Sequence, residues 1–226
     1  MTTRKVSLMG ASSSSGNLTV RVKHSISKQH FRAAVLFAKE ARVIESTISV
    51  PEEADRTRHS AQVTAAVLSG VAFLEASINE LFLSALSNDF SALRPSFDDE
   101  SSILLRELWE NVEGFPILRK YQIVLTALRK SPFETDRLPY QDADSLIRLR
   151  NSLVHYKPEW DDERGNHQKL EDRLKGKFAV SPYGIGMHLW FPHQCLGSGC
   201  ADWAVATART FSEEFCTRLA VPIRTP

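Results

Sequence analysis

The fold of this chain is decided by the stretch from Ser60 to Ser87, which reads SAQVTAAVLSGVAFLEASINELFLSALS. Apolar side chains recur in it every three or four positions, as expected for a helix that packs along one side. The positions that carry this repeat are Val63, Val67, Gly70, Leu74, Ile78, Leu81 and Ala85. Phe73 and Phe82 widen the apolar stripe, so the spacing predicts a long helix inside a helical bundle.

Further helices are predicted on both sides of this one. Apolar spacing and proline positions place them at about 29–46, 101–111, 116–130, 140–156 and 201–219. Pro116 suits the first turn of a helix, and Pro158 follows the end of another. Residues 178–180 and 187–191 resemble two strands around a turn at 182–186. The prediction is a mainly α protein, a bundle of five or six helices with a small C-terminal β element.

The chain divides into three predicted regions. Residues 1–24 are predicted to form a flexible leader, with a short strand at 17–22, where apolar and polar residues alternate. Residues 25–157 are predicted to form the helical bundle. The length of 226 residues fits one large domain. Residues 158–226 begin with a charged loop predicted to be solvated, continue through the β element and end in a helix that packs on the bundle.

Composition narrows the classes of protein to which this chain can belong. With 42% hydrophobic and 24% charged residues it is expected to fold, not to be disordered. A net charge of +1 argues against a globally basic nucleic-acid binder, so any polyanion site must be local. Three cysteines are too few for a secreted disulfide framework. No membrane span or signal peptide is recognised, which predicts a cytoplasmic protein without a membrane partner.

The stretch RLRNSLVHY at 148–156 carries the most informative chemistry. On an ideal helix Arg150 falls within the apolar stripe of Ala143, Leu146, Ile147, Leu153 and Val154. A guanidinium there is costly unless it is paired or faces a polar cleft. Beside it lies a continuous polar stripe of Asp144, Arg148, Asn151 and His155. Such a local violation of the apolar pattern is typical of functional sites.

The segment Arg150 to His155, RNSLVH, resembles the R-N-x-x-x-H motif of HEPN domains. These domains are helical bundles found widely among prokaryotic toxin, phage-defence and CRISPR-associated ribonucleases. The stretch FLEASINELF at 73–82 is also similar to the long helix that precedes the motif in many of them. The resemblance covers about residues 25–157, and it implies that the motif lies near the end of a late bundle helix.

This resemblance implies a metal-independent endoribonuclease of toxin or phage-defence type, without a cofactor, that acts on RNA as a homodimer. His155 would act as general base or acid at the ribose 2′-hydroxyl or the leaving 5′-oxygen. Arg150 would bind the scissile phosphate and stabilise its developing charge. Asn151 would orient the imidazole or the phosphate. Products would carry a 2′,3′-cyclic phosphate and a 5′-hydroxyl, and an antitoxin or defence-system protein would be a partner.

Residues around the motif receive supporting roles. Arg148, Tyr156 and Lys157 are predicted to contact RNA. Asp144 and Glu75 are predicted to hold the side chains of the catalytic pair in position without themselves taking part in the reaction. Ideal geometry separates the two catalytic residues by about 140° around the helix axis, so Arg150 must reach sideways or the helix must distort.

One position departs from the pattern of HEPN toxins that are silenced by nucleotidylation. Those toxins carry a tyrosine two residues after the histidine. In this chain that position is Lys157, whereas Tyr156 directly follows the histidine. The difference argues against a nucleotidyltransferase as the antitoxin.

Two other hypotheses remain open from the sequence. The chain could be a catalytically inactive HEPN-like module that binds RNA, a nucleotide or a protein partner. It could also be a helical interaction protein in which Arg150 pairs with a buried carboxylate such as Glu75. His155 would then only interact with the dipole at the helix C-terminus.

Two residue clusters near the C-terminus have less specific patterns. The first could hold zinc, but its H-x4-H-x-C-x4-C spacing departs from common zinc sites, and chance proximity is the favoured interpretation. It consists of His188, His193, Cys195 and Cys200. The second is predicted to pack in the core and not to stack on bases. It consists of Trp190, Trp203, Phe211 and Phe215.

Overall fold

The computed structural model describes residues 25–86, 97–158, 165, 167–187 and 189–220. The helices are α1 (Ser27–Thr47), α2 (Glu53–Leu86), α3 (Asp99–Val112), α4 (Ile117–Ala127), α5 (Tyr140–Val154), α6 (Gln168–Leu174) and α7 (Ser198–Leu219). A 3₁₀ turn at Pro182–Gly184 and a π-type turn at Trp190–Gln194 precede α7. The prediction of a mainly α protein is therefore confirmed. The predicted leader at 1–24, with its strand at 17–22, lies outside the described residues.

Helix α2 is the centre of the bundle. It packs most extensively against α1 and also contacts α3, α4, α5 and α7. Val63, Val67, Leu74 and Ile78 of the predicted stripe are buried along it. Gly70 faces Ala204 and Ala208, so small residues on both helices bring the backbones of α2 and α7 close together. The helix begins seven residues before the predicted start.

The apolar character of α2 modifies one expectation about membranes. Its segment Glu53–Ser84 is long and apolar enough to cross a bilayer, because an 18-residue window reaches a mean hydropathy of 1.5. The central helix of a soluble bundle meets the same criterion, since it is surrounded by protein instead of lipid. This single helix therefore does not assign a cellular location.

An aromatic cluster joins α7 to α4 and α5. The ring of Tyr121 meets Phe211 and Phe215 edge-on at 4.9 and 4.6 Å between centroids, and Phe133 stacks on Phe211 at 4.7 Å. The hydroxyl of Tyr121 donates to the Leu74 carbonyl of α2 at 2.8 Å. Phe211 and Phe215 are buried core residues, as the sequence predicts.

The predicted C-terminal β element is not formed by the described residues. Residues 178–180 join no strand, and the chain from Trp190 closes a helical turn in which the Cys195 amide donates to the Trp190 carbonyl at 2.8 Å. Trp190 and Phe191 are both buried, whereas consecutive strand residues would face opposite sides. Pro192, which follows them, also has no backbone N–H to donate to a neighbouring strand. The expectation of strands here was wrong.

The charged segment at 158–176, for which a solvated loop is predicted, contains a helix. Helix α6 buries Leu170 and Leu174, which are spaced four residues apart on one face. Glu171 forms an ion pair with Lys175 one turn later on the exposed side. Through this helix the segment packs against α5, the helix that carries the motif.

Two helix N-termini are capped by carboxylates from other helices. Glu80 of α2 accepts hydrogen bonds from the amides of Ile26 and Ser27 at 2.8 and 2.9 Å, at the start of α1. Glu45 of α1 accepts from the amide of Ser198 at 2.7 Å, at the start of α7. Neither α1 nor α7 has a side-chain cap from its own N-cap residue. These two contacts tie α1, α2 and α7 together.

Candidate functional site

Helix α5 carries the motif, and its burial differs in one respect from the predicted stripe. The buried face contains Ala143, Leu146 and Leu149, while Val154 is 54% exposed. Arg150 therefore lies at the margin of the buried face and not in its middle, with 26% of its side chain exposed. This position leaves the guanidinium at the surface of the bundle.

The Arg150 guanidinium faces Glu75 of α2. Its Nη2 atom lies 3.7 Å from Glu75 Oε2, which is an ion-pair distance and too long for a hydrogen bond. The Glu75 side chain is 46% exposed. The pair that the structural hypothesis expects is present, but its carboxylate is half exposed and not buried.

His155 ends α5 and leaves the helical path. Its amide donates to the Asn151 carbonyl at 2.8 Å, and its backbone angles are φ −111° and ψ 44°. The estimate of 140° assumed an ideal helix through this residue, so it does not describe the direction of the imidazole. The side chains of His155 and Asn151 are exposed, and within the described part of the chain neither makes a hydrogen bond or ion pair.

Asp144 supports arginines other than Arg150. Its Oδ2 atom accepts from Arg148 Nε at 2.8 Å and from Arg173 Nη1 of α6 at 2.9 Å. Arg148 remains 54% exposed despite this pairing. The structure therefore brings Asp144 together with Arg148, and it brings neither of them into contact with His155. Nearby, Lys177 pairs with Asp142 at 2.6 Å and adds a second link to α5.

His167, which is not among the predicted site residues, contacts the two residues that follow the motif. The rings of Tyr156 and His167 stack at 5.3 Å with 9° between their planes. His167 Nε2 donates to the Lys157 carbonyl at 3.0 Å, and the ring also contacts Phe191 at 4.8 Å. Tyr156 keeps 42% of its surface exposed. The four-residue spacing of the α6 leucines could have predicted this helix, but not the contact of His167 with Tyr156.

The four residues considered as zinc ligands do not form a metal site in the described part of the chain. No group of three histidine, cysteine or carboxylate side chains is placed there to hold a metal ion. Cys195 and Cys200 are buried, whereas His193 is exposed. His188 lies outside the described residues. Burial, followed by the contact with Cys200, raises the pKa of the Cys195 thiol and disfavours the thiolate that binds metals.

Comparison of this chain with known protein families, sequences and structures finds no similar protein. No protein-family model matches this chain. No curated protein sequence and no solved structure matches it either.

Proposed function

We propose that this protein is a metal-independent endoribonuclease of the HEPN type, with a site built from Arg150 and His155 of two copies. One observation carries the proposal. An exposed imidazole without a side-chain partner among the described residues follows, at the end of α5, an arginine held only by a long surface ion pair. Both groups are therefore available to a substrate phosphate.

The proposed reaction uses two proton transfers. His155 of one copy removes the proton from a ribose 2′-hydroxyl, whose oxygen attacks the adjacent phosphorus. The bond from phosphorus to the 5′-oxygen breaks, and the histidine of the second copy protonates that oxygen. An imidazole can perform either role, because it can both accept and donate a proton. Arg150 stabilises the charge that develops on the phosphate, which is where a guanidinium contributes most to the rate.

The proposed dimer follows from the surface around the motif. Val154 and Tyr156, on either side of His155, expose 54% and 42% of their surface. A two-fold contact through this end of α5 would cover both and bring the two motifs together. Exposed Arg148, Asn151 and Lys157 would line the rim of that cleft and contact RNA.

The cellular setting belongs to the same proposal and rests on the resemblance alone. The protein would be a cytoplasmic toxin or phage-defence nuclease. An antitoxin or another component of the defence system would keep it inactive until it is required.

The test is RNA cleavage by purified protein in the presence of EDTA. Wild-type protein is expected to produce 2′,3′-cyclic phosphate ends, and Arg150→Ala and His155→Ala to lose activity by about 100-fold or more with folding retained. His193→Ala is the matched control, since His193 is exposed on a different segment. Cleavage that EDTA abolishes, or that survives both substitutions, would refute the proposal.

A second candidate is an inactive HEPN-like module that binds RNA, a nucleotide or a protein. It is favoured by the ion pair between Arg150 and Glu75, which occupies the guanidinium within one chain. The same assay separates the two candidates, because a binding module retains RNA without producing cyclic phosphate ends.

A further inference from the structure

The outward face of α1 combines positive charge with exposed apolar side chains. Arg32, Lys39 and Arg42 are exposed on it, at spacings of seven and three residues that place them on one side of a helix. Leu36 and Val43 lie beside them and are 53% and 44% exposed. Large exposed apolar side chains grouped with cations are typical of a surface that another molecule covers.

Both carboxylates of α1 have partners outside this face. Glu40 lies 3.9 Å from Arg58 of α2. Glu45 accepts hydrogen bonds from His59 at 2.6 Å and from Ser198. The positive charge of the outward face is therefore not neutralised by α1 itself, although the chain as a whole has a net charge of only +1.

A groove of about 520 Å³ runs between this face and α7. Its lining is Val35, Ala38, Lys39, Arg42, Asp202, Val205, Ala206 and Arg209. Valines and alanines form the apolar part, and cations form the rest apart from Asp202. That carboxylate is already engaged, since Asp202 Oδ2 accepts from Arg42 Nε at 3.1 Å.

Two cations of the groove keep their charge available. The Arg209 guanidinium lies over the Phe31 ring at 5.2 Å, a contact that restrains its position without neutralising it. Neither Arg209 nor Lys39 forms an ion pair with a carboxylate of the described residues. A ligand with two or more negative charges would therefore meet cations that are positioned but not paired.

We infer that the groove between α1 and α7 is a docking site for an acidic amphipathic helix of a protein partner. Aliphatic side chains of such a helix would fill the apolar lining, as in other complexes of a helix in a groove. Its carboxylates would pair with Lys39 and Arg209, which selects against basic partners. This inference does not depend on the proposed ribonuclease activity, because none of the lining residues belongs to α5.

Two other occupants fit the groove less well. Single-stranded RNA binds best where aromatic rings stack on bases, and the lining has no aromatic residue, since Phe31 is buried beneath Arg209. A second copy docking through the same face would bring two cationic surfaces together, which is unfavourable.

The test is selection from a displayed library of helical peptides with randomised surface positions, using the full chain as bait. We expect enriched peptides to carry Asp or Glu beside apolar residues at helical spacing. Lys39→Glu/Arg209→Glu should weaken their binding by at least about tenfold, which is 1.4 kcal/mol. Arg106→Glu/Lys169→Glu is the matched control, because it makes the same charge change at two other exposed sites. Replacing the acidic positions of a selected peptide by Lys should restore binding to the groove variant.

The remaining outcomes overturn the inference. No enrichment, enriched peptides without acidic residues, or equal binding to wild-type and groove variants would each do so. If the groove variant instead loses affinity for single-stranded RNA of about 20 nucleotides, the groove belongs to a nucleic acid. If it loses self-association, the groove belongs to a second copy. Lys39→Glu alone, which retains the contact between Arg209 and Phe31, repeats each measurement if the double variant fails to fold.

Discussion

Arg150 and Glu75 form a contact that is electrostatic but weak. Their charged atoms are 3.7 Å apart, and both side chains are partly exposed to solvent. Exposed ion pairs of this kind contribute about 0–1 kcal/mol, because water screens the attraction and both side chains lose conformational freedom. The pair therefore gives no strong structural reason for an arginine at this position, which is consistent with the proposed contact between Arg150 and a substrate phosphate.

We predict that Arg150→Met changes the free energy of unfolding by less than about 1 kcal/mol. The methionine keeps the apolar contacts of the side-chain stem at the margin of the buried face, and only a surface ion pair is lost. Chemical denaturation of the variant and of Glu75→Gln measures this directly. A loss of about 3 kcal/mol or more in either variant would mean that the pair is structural after all.

The contacts of His167 could not be predicted from the sequence. It stacks on Tyr156 and binds the Lys157 carbonyl, eleven and ten residues earlier in the chain. No periodic pattern connects these positions, since the contact depends on where α6 returns to α5. By contrast, the contact of Arg150 with Glu75 could be predicted, because an arginine within an apolar stripe requires a carboxylate nearby.

At the scale of helices, the termini of α1 and α7 depend on distant carboxylates. The first amide groups of a helix have no partner within the helix and must find one elsewhere. Glu80 supplies it 53 residues from Ser27, and Glu45 supplies it 153 residues from Ser198. Burial alone would raise the pKa of Glu45, but hydrogen bonds from His59 and Ser198 outweigh it and hold the pKa below the usual value.

We predict that Glu45→Gln lowers the free energy of unfolding by about 1–3 kcal/mol at pH 7, because buried donors lose a charged acceptor. A carboxyl group whose pKa is lowered by folding stabilises the protein above its unfolded pKa, here 4.5, and ceases to do so as the pH falls through the lower folded value. The difference between wild type and variant should therefore shrink below about pH 4.5. Urea denaturation across this range measures it.

Glu40→Gln is the control for this prediction. Glu40 lies on the same helix, but its ion pair with Arg58 is exposed and 3.9 Å long. We expect its unfolding free energy to follow that of the wild type within about 0.5 kcal/mol at every pH. Equal effects of the two substitutions would show that the cap on α7 contributes nothing specific.

At the scale of the whole molecule, the proposed site is incomplete in one chain. Within the described part of the chain, no hydrogen bond or ion pair joins Arg150, Asn151 and His155 through their side chains. The proposed reaction needs two imidazoles, so the exposed end of α5 can catalyse it only if a second copy supplies the second histidine. This consequence can be measured without a structure of the dimer.

We predict that RNA cleavage by mixtures of wild type and His155→Ala follows the square of the wild-type fraction after subunit exchange. Each mixed dimer would hold one imidazole and could not transfer both protons. Mixing the wild type with His193→Ala should leave the activity constant. A linear dependence on the wild-type fraction would show that each chain acts alone.

The sequence by itself determined the helical class and the helix that carries the motif, because apolar spacing of three and four residues is a local property. The same local reasoning predicted strands at 178–180 and 187–191, but the described residues there form none, and the buried rings of Trp190 and Phe191 begin a helical turn instead. Tertiary structure alone decided the caps on α1 and α7, the docking of α6 and the groove beside α7. These features depend on side chains far apart in the chain, which only the packed bundle brings together.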